Sequence, residues 1–124
     1  MSEIIEDGNQ MLYIAVFNHE GVYFTMTTTA IFGENGICKY AEVIVKFLNN
    51  TLAEMFYNEM LKILTDEMLK EIKDRNMLLS DVIKLEGNKV ICYDKVDPDF
   101  VGYDRQHARI KMEEMRAQTK LIKL

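Results

Sequence analysis

The alternation of apolar and polar residues predicts two β-strands in the first third of the chain. Residues 11–17 carry apolar side chains on both faces, whereas residues 22–32 carry them on one face and threonines on the other. The polar turn 18–21 connects the two segments, which predicts a β-hairpin. The apolar face of the second strand consists of Val22, Phe24, Met26, Ala30 and Phe32, and the opposite face carries Thr25, Thr27 and Thr29.

The next fifty residues, 37–86, contain no glycine or proline, and their apolar residues recur largely at helical spacing. We predict two helices here, over about 38–49 and 52–74, separated by an Asn-Asn-Thr sequence. Thr51 and Glu54 have the spacing of a capping box at the start of the second helix. The apolar stripe drifts without losing phase, so one continuous curved helix remains an open alternative.

The last third of the chain predicts a second hairpin and a final helix. Residues 82–86 and 89–93 flank Gly-Asn, a strong signal for a two-residue hairpin. A helix over about 104–119 would place Ala108, Met112 and Met115 on its apolar side. The pattern therefore predicts an α+β fold of order ββααββα: two β-hairpins forming an antiparallel sheet packed against two central helices, with a C-terminal helix.

Length and composition indicate one domain over residues 1–124, large enough to bury a core. Residues 1–9 are polar and acidic, and we expect them to be flexible. Hydrophobic residues make up 48% of the chain and charged residues 28%, which is typical of a globular protein. No apolar run approaches the ~20 residues of a membrane span and no leader pattern opens the chain, so we expect a cytoplasmic protein with no membrane association.

The net charge of −5 is distributed unevenly. Residues 1–103 carry 9 basic and 17 acidic side chains, whereas the basic helix and tail at 104–124 carry 6 basic and 3 acidic ones. Within that tail, Arg105 and Arg109 are one helical turn apart, with His107 nearby and Tyr103 just before them. Guanidinium groups stacked in this way suit phosphates and carboxylates, so these four residues are the candidate site for an anionic small molecule such as a nucleotide. A solvated basic helix face is the alternative.

Metal and catalytic sites are not predicted. Asp94, Asp97, Asp99 and Asp104 are close in sequence but fit a calcium loop poorly, and turn or capping roles are preferred for them. The two cysteines and two histidines show no spacing that suggests convergence, and the chain has no phosphate-binding loop. We therefore predict no cofactor and no catalytic residue. A helix-turn-helix over 38–64 would present carboxylates to DNA, so sequence-specific DNA binding is not expected.

The predicted helices carry more apolar surface than two short hairpins can cover. We therefore expect a regulatory or inhibitory protein-binding module, non-enzymatic and homodimeric, that binds another macromolecule. An enzyme that draws its acid and base from the Asp94–Asp104 cluster and His107 ranks third among the hypotheses. The small size, the acidity and the Ile/Lys/Asn/Met-rich, Pro-poor composition resemble small phage-encoded inhibitors of host proteins. This resemblance is one of composition and assigns no residue. The alternative function is capture of an anionic small molecule, and the expected interface residues are Tyr40, Phe47, Phe56, Tyr57, Met60 and Met68.

Overall fold

The computed structural model describes residues 2–96 and 98–121, with side chains up to residue 118. Four strands come first, followed by two helices, a short 3-10 turn at Leu79–Asp81, a β-hairpin and a final helix. The strands are β1 (Ser2–Asp7), β2 (Gln10–His19), β3 (Val22–Phe32), β4 (Cys38–Phe47), β5 (Ile83–Glu86) and β6 (Lys89–Tyr93). The helices are α1 (Asn50–Lys62), α2 (Asp66–Asp74) and α3 (Arg105–Leu121).

The six strands form one sheet in the order β1-β2-β3-β4-β6-β5, and every neighbouring pair is antiparallel. Tight turns connect β1 to β2, β2 to β3 and β5 to β6. At the β2–β3 turn both Glu20 and Gly21 have positive φ angles, of 51° and 83°, as a type I′ turn requires. Asn18 supports this turn by accepting a hydrogen bond from the backbone N–H of Gly21 at 3.0 Å.

The helices cover one face of the sheet, which we call the covered face. Three clusters of buried residues hold this layer together. The first joins α3 to strands β2 to β4, the second joins α1 to strands β4 to β6, and the third surrounds Ile72 of α2. Ala108 and Met112 of α3 are fully buried in the first cluster, as the sequence pattern predicted.

The predicted α+β class is confirmed, including the antiparallel sheet, both predicted hairpins and the C-terminal helix. The element order differs, because four strands precede the helices and the chain reads ββββααββα. No helix among the described residues is long and apolar enough to cross a membrane.

The predicted helix over 38–49 is wrong, because residues 38–47 form the central strand β4. Val43, Ile44 and Val45 are consecutive β-branched residues, which favour a strand because their side chains are restricted in a helix. A buried strand also carries apolar residues on both faces, and this can imitate helical spacing. Helix α1 is capped by Asn49 and not by the predicted capping box at Thr51 and Glu54. The Asn49 side chain accepts a hydrogen bond from the N–H of Leu52 at 2.9 Å.

Two further expectations are corrected. Within the segment 1–9 that was expected to be flexible, Ser2–Asp7 forms strand β1 and pairs along its length with β2 through a turn at Gly8-Asn9. The predicted helix over 52–74 is two helices, because the chain leaves α1 at Ile63 and restarts at Thr65. The Thr65 hydroxyl caps α2 by accepting from the N–H of Met68 at 3.2 Å.

Candidate interaction surface

The second face of the sheet, which we call the open face, is not covered by any described helix. Every sheet residue that belongs to or packs against a core cluster points to the covered face. An antiparallel sheet can leave one face to water, and such a face is usually polar. Here the open face carries an apolar set that belongs to none of the three clusters, formed by Leu12, Ile14, Val16, Ile31, Ile44 and Ile91.

The apolar side chains of the open face differ in exposure. Val16 is 44% exposed and Tyr23 is 54% exposed, and both line a shallow groove that also includes Leu48, the residue after the end of β4. Ile14 and Ile44 are half-buried by their neighbours within the sheet alone. The threonines predicted on the opposite face of β3 lie here as expected, between these aliphatic side chains.

One row of directly paired residues crosses the whole open face. It runs Glu3, Ile14, Thr27, Ile44, Ile91 and Lys84, in the order β1-β2-β3-β4-β6-β5. We call this the central row. Its two ends carry opposite charges, and its middle positions are aliphatic except for one threonine. The row is therefore complementary to a reversed copy of itself.

A polar cluster lies beside the central row. The Tyr40 hydroxyl donates a hydrogen bond to a Glu42 carboxylate oxygen at 2.9 Å, and the rings of Tyr40 and Tyr93 are 6.4 Å apart. Desolvation and this hydrogen bond raise the pKa of Tyr40 to about 12. Lys95 lies over the Tyr93 ring at 5.7 Å. These contacts hold the aromatic rings in place on the open face.

The six predicted interface residues occupy two kinds of environment. Phe47 is buried in the second core cluster, which Phe56, Tyr57 and Met60 contact, whereas Met68 packs against the third cluster. Tyr40 alone among the six lies on the open face. The sequence missed the aliphatic residues of the open face as interface candidates. The sequence signal for these residues is that β2 and β4 carry apolar side chains on both faces. This signal indicates an interface only when residues 38–47 are recognised as a strand.

The predicted anion-binding arginines already have internal partners. Arg105 donates to the backbone oxygen of Gly8 at 2.7 Å, and its guanidinium lies 4.9 Å from the centre of the Phe32 ring. Arg109 donates to Glu6 at 2.9 Å and is 3.3 Å from Glu113. These contacts attach α3 to the β1–β2 hairpin and place two carboxylates around one guanidinium. Anion capture by these residues stays a prediction that would require them to leave their present partners.

The other two candidate anion ligands lie at the start of α3. His107 is exposed, and its Nδ1 lies 2.7 Å from Asp104, which also accepts the backbone N–H of His107 at 2.8 Å. These hydrogen bonds from His107 lower the pKa of Asp104. Tyr103 is 38% exposed and packs edge-on against the His107 ring. Asp104 thus caps the first turn of α3, as preferred for the aspartates of this region.

Asp94 has the second structural role in this acidic segment. Its carboxylate accepts three backbone N–H groups, from Asp99 at 2.7 Å and from Phe100 and Val101 at 2.9 Å each. Asp99 lies 3.6 Å from Lys111, and Asp97 lies outside the described residues. The described residues include no group of three or more His, Cys, Asp and Glu side chains arranged to hold a metal ion.

His19 and Cys38 lie at opposite ends of the sheet, whereas His107 belongs to α3. His19 pairs with the first residue of β3 and Cys38 with the last, which are ten residues and ~33 Å apart along the strand. Cys38 is buried, donates to the Tyr40 carbonyl at 3.3 Å, and has a pKa raised chiefly by burial. Burial also raises the pKa of Cys92. Both thiols are therefore protonated at neutral pH, which disfavours nucleophilic roles.

Comparison of the chain with models of known families, with curated proteins and with solved structures finds no match.

Proposed function

We propose that the protein is a non-enzymatic interaction module that works as a homodimer, assembled through the open faces of two sheets. The single observation that carries this proposal is the central row, which has an acidic residue at one end, a basic residue at the other and aliphatic residues between them. A surface that pairs with its own copy must be complementary to itself under a two-fold rotation.

A two-fold axis parallel to the strands gives this complementarity. The rotation reverses the order of the strands, so β1 of one subunit faces β5 of the other. Glu3 then faces Lys84, and Ile14 faces Ile91 of the second copy. Sheets packed face to face differ in strand direction by about 30°, which displaces the outer rows and leaves the central row in contact.

The neighbouring row supports the same arrangement. It contains Leu12, Thr29, Glu42 and Tyr93 in strand order. The rotation places Leu12 of one copy against the Tyr93 ring of the other. An aliphatic side chain on an aromatic ring is a favourable contact for the centre of an interface.

The size of the open face suits a stable dimer. Strands spaced about 4.8 Å apart, with a rise of about 3.4 Å per residue, give the six strands a projected area of roughly 750 Å². Standard interfaces bury about 800 Å² on each partner. The area of the open face is therefore close to that of a standard interface, without a contribution from the helices.

The first experiment measures the subunit state of the purified protein by analytical ultracentrifugation. We expect a dimer, and we expect Ile14→Lys to weaken it by at least about 30-fold, because a lysine would enter the apolar centre. Ile110→Lys is the matched control, since Ile110 is 49% exposed on α3, away from the open face. A wild-type protein that stays monomeric at about 100 µM would contradict the proposal.

The second experiment tests the orientation of the two subunits by charge reversal. Glu3→Lys and Lys84→Glu should each weaken the dimer about two- to five-fold, and the double variant should recover most of the loss. The double-mutant cycle also removes the effect of Glu86, which pairs with Lys84 within one subunit at 3.1 Å. Additive losses in the double variant would exclude this two-fold axis.

A dimer of this kind would leave both helical layers facing outward. Binding or inhibition of another macromolecule by the module stays a prediction from the sequence. The ultracentrifugation experiments test the dimer independently of that prediction.

A further inference from the structure

A second feature with functional consequences lies on the covered face, where a cavity of about 140 Å³ opens between the sheet and the loop residues 94–96 and 98–101. Its floor includes Thr28, Val43 and Cys92, which are direct neighbours on adjacent strands. Val96 and Phe100 of the loop also line it.

The cavity lies where the three core clusters meet without filling the space between them. Phe100 belongs to the first cluster, Val43 and Cys92 pack against the second, and Val96 belongs to the third. Protein interiors are normally packed as densely as organic crystals, and spaces larger than a water molecule are few. A space of this size could hold a molecule about as large as benzene.

Thr28 gives the cavity one unused polar group. Its side chain is completely buried, and its hydroxyl oxygen has no hydrogen-bond partner within the described part of the chain. A buried hydroxyl without a partner is costly, and most such groups in native proteins bind protein, water or ligand. The hydroxyl can both donate and accept a hydrogen bond.

The remaining lining residues restrict the charge of an occupant. Glu42, Asp94 and Asp99 also line the cavity; the Glu42 carboxylate accepts the hydrogen bond of Tyr40, and the Asp94 carboxylate accepts three backbone N–H groups. Three carboxylates disfavour an anion here, and the aliphatic and aromatic lining disfavours a strongly hydrated cation. The chemistry that remains is an uncharged, mainly apolar molecule.

We propose that this cavity is a binding site for a compact, uncharged molecule of about six to eight heavy atoms, mainly apolar and with one hydroxyl or carbonyl group that hydrogen-bonds to Thr28. The Cys92 thiol forms part of the wall and is covered by the bound molecule. The cavity lies on the covered face, and Glu42 and Tyr93, which belong to the neighbouring row of the open face, also line it.

Phenol is the test ligand, and toluene is its counterpart without a hydroxyl. Titrations are followed by the amide NMR signals of Thr28, Val43 and Cys92 in the wild-type protein. We expect phenol to bind with a Kd of about 1 mM and toluene about five- to ten-fold more weakly. Thr28→Val keeps the shape of the side chain and removes the hydroxyl, so it should abolish this preference for phenol. Thr28→Ser, which retains the hydroxyl, should preserve it.

Alkylation of Cys92 gives a readout that requires no variant. Peptide mass spectrometry separates Cys92 from the buried Cys38, and phenol at ten times its Kd should slow Cys92 alkylation about ten-fold. The proposal would be overturned if phenol left the three amide signals and the alkylation rate unchanged. Equal binding of phenol and toluene in the wild-type protein would also overturn it, because Thr28 would then contribute nothing to recognition.

Discussion

The Asp94 carboxylate offers a sharp test of how the structure holds the loop over the covered face. We predict that Asp94→Ala destabilises the protein, because three backbone N–H groups lose their acceptor at once. Two of these groups, on Phe100 and Val101, are partly buried and would be left without a replacement from bulk water. Phe100 itself is 4% exposed and belongs to the first core cluster.

The magnitude follows from the number and environment of these bonds. A hydrogen bond to a charged group contributes about 1.5–3 kcal/mol when buried, and less when the acceptor is partly exposed, as Asp94 is. Taking about 1 kcal/mol for each of the three bonds gives a loss of about 3 kcal/mol. For a chain of 124 residues this corresponds to a decrease in Tm of about 12 °C.

Asp94→Asn separates the charge from the geometry. The side-chain oxygen of an asparagine can continue to accept from Phe100 and Val101, which share one oxygen of Asp94. Its amide group would then face the N–H of Asp99, where two donors oppose each other. We expect a loss of about 1.5 kcal/mol, roughly half of the alanine value.

Urea unfolding followed by circular dichroism measures these free energies, and calorimetry measures the change in Tm. Asp99→Asn is the control from the same loop, because the Asp99 carboxylate is 69% exposed and lies 3.6 Å from Lys111. It should change stability by less than about 0.5 kcal/mol. If the Asp94 and Asp99 variants lost similar amounts, the carboxylate of Asp94 would not be what holds the loop.

Three further predictions concern the open face, the core and a helix terminus. The pKa of Tyr40 is raised from 10 to about 12, so between these pH values the folded protein keeps a proton that the unfolded chain loses. The stability of the wild-type protein should therefore fall as pH rises through this range, by about 1 kcal/mol after solvent screening. Tyr40→Phe should reduce this fall. Met112→Ala should cost about 3 kcal/mol in urea unfolding, because this side chain is completely buried in the first cluster. Asn49→Ala should cost about 1 kcal/mol in the same assay, because the N–H of Leu52 loses its capping acceptor.

Each of these predictions has a control within the chain. Tyr23→Phe is the matched control for Tyr40→Phe, because it removes a hydroxyl from a 54% exposed tyrosine of the same sheet face. Glu114→Ala alters an exposed position near Met112, and Asn50→Ala alters the first residue of α1. Both controls should stay within about 0.5 kcal/mol of the wild-type protein. A control variant that matched its test variant would refute the corresponding assignment.

Elements that carry a strong local signal in the sequence were predicted correctly. Gly87-Asn88 and Asn18–Gly21 are turns encoded by neighbouring residues, and the structure confirms both hairpins. The apolar positions Ala108 and Met112 likewise identified α3 and its buried side. The strand at 38–47 was missed because helical periodicity and a two-sided apolar strand leave the same trace in a short segment.

Strand β1 was missed for a different reason. Its acidic residues look like a solvated terminus, and only Ile4 contacts the core. The Gly8-Asn9 turn was a usable hairpin signal that the composition of the segment obscured. Its pairing with β2 depends on contacts with α3, such as Arg105 to the Gly8 carbonyl, across 97 positions in sequence. Such a contact cannot be derived from local pattern.

The open face shows why the candidate site was the least predictable part. Glu3, Ile14 and Lys84 are far apart in the sequence and become one row only when five strand registers are set together. A shift of one residue in any of these pairings would turn a strand's apolar set to the other face. The sequence therefore indicated surplus apolar surface but assigned most of it to helices.

The packing of α3 on the β1–β2 hairpin explains the uneven distribution of charge along the chain. The basic C-terminal helix lies on the acidic β1–β2 hairpin, where Arg109 is close to Glu6 and Glu113. Because these opposite charges are paired within one subunit, they offer little attraction to an external partner. Glu3 and Lys84, at the ends of the central row, lie on opposite edges of the sheet, and Lys84 already has an exposed partner in Glu86 of its own subunit at 3.1 Å. In the proposed dimer Glu3 of the second copy would join this pair, so the closed assembly would be stabilised mainly by the aliphatic residues of the central row and oriented only weakly by its end charges.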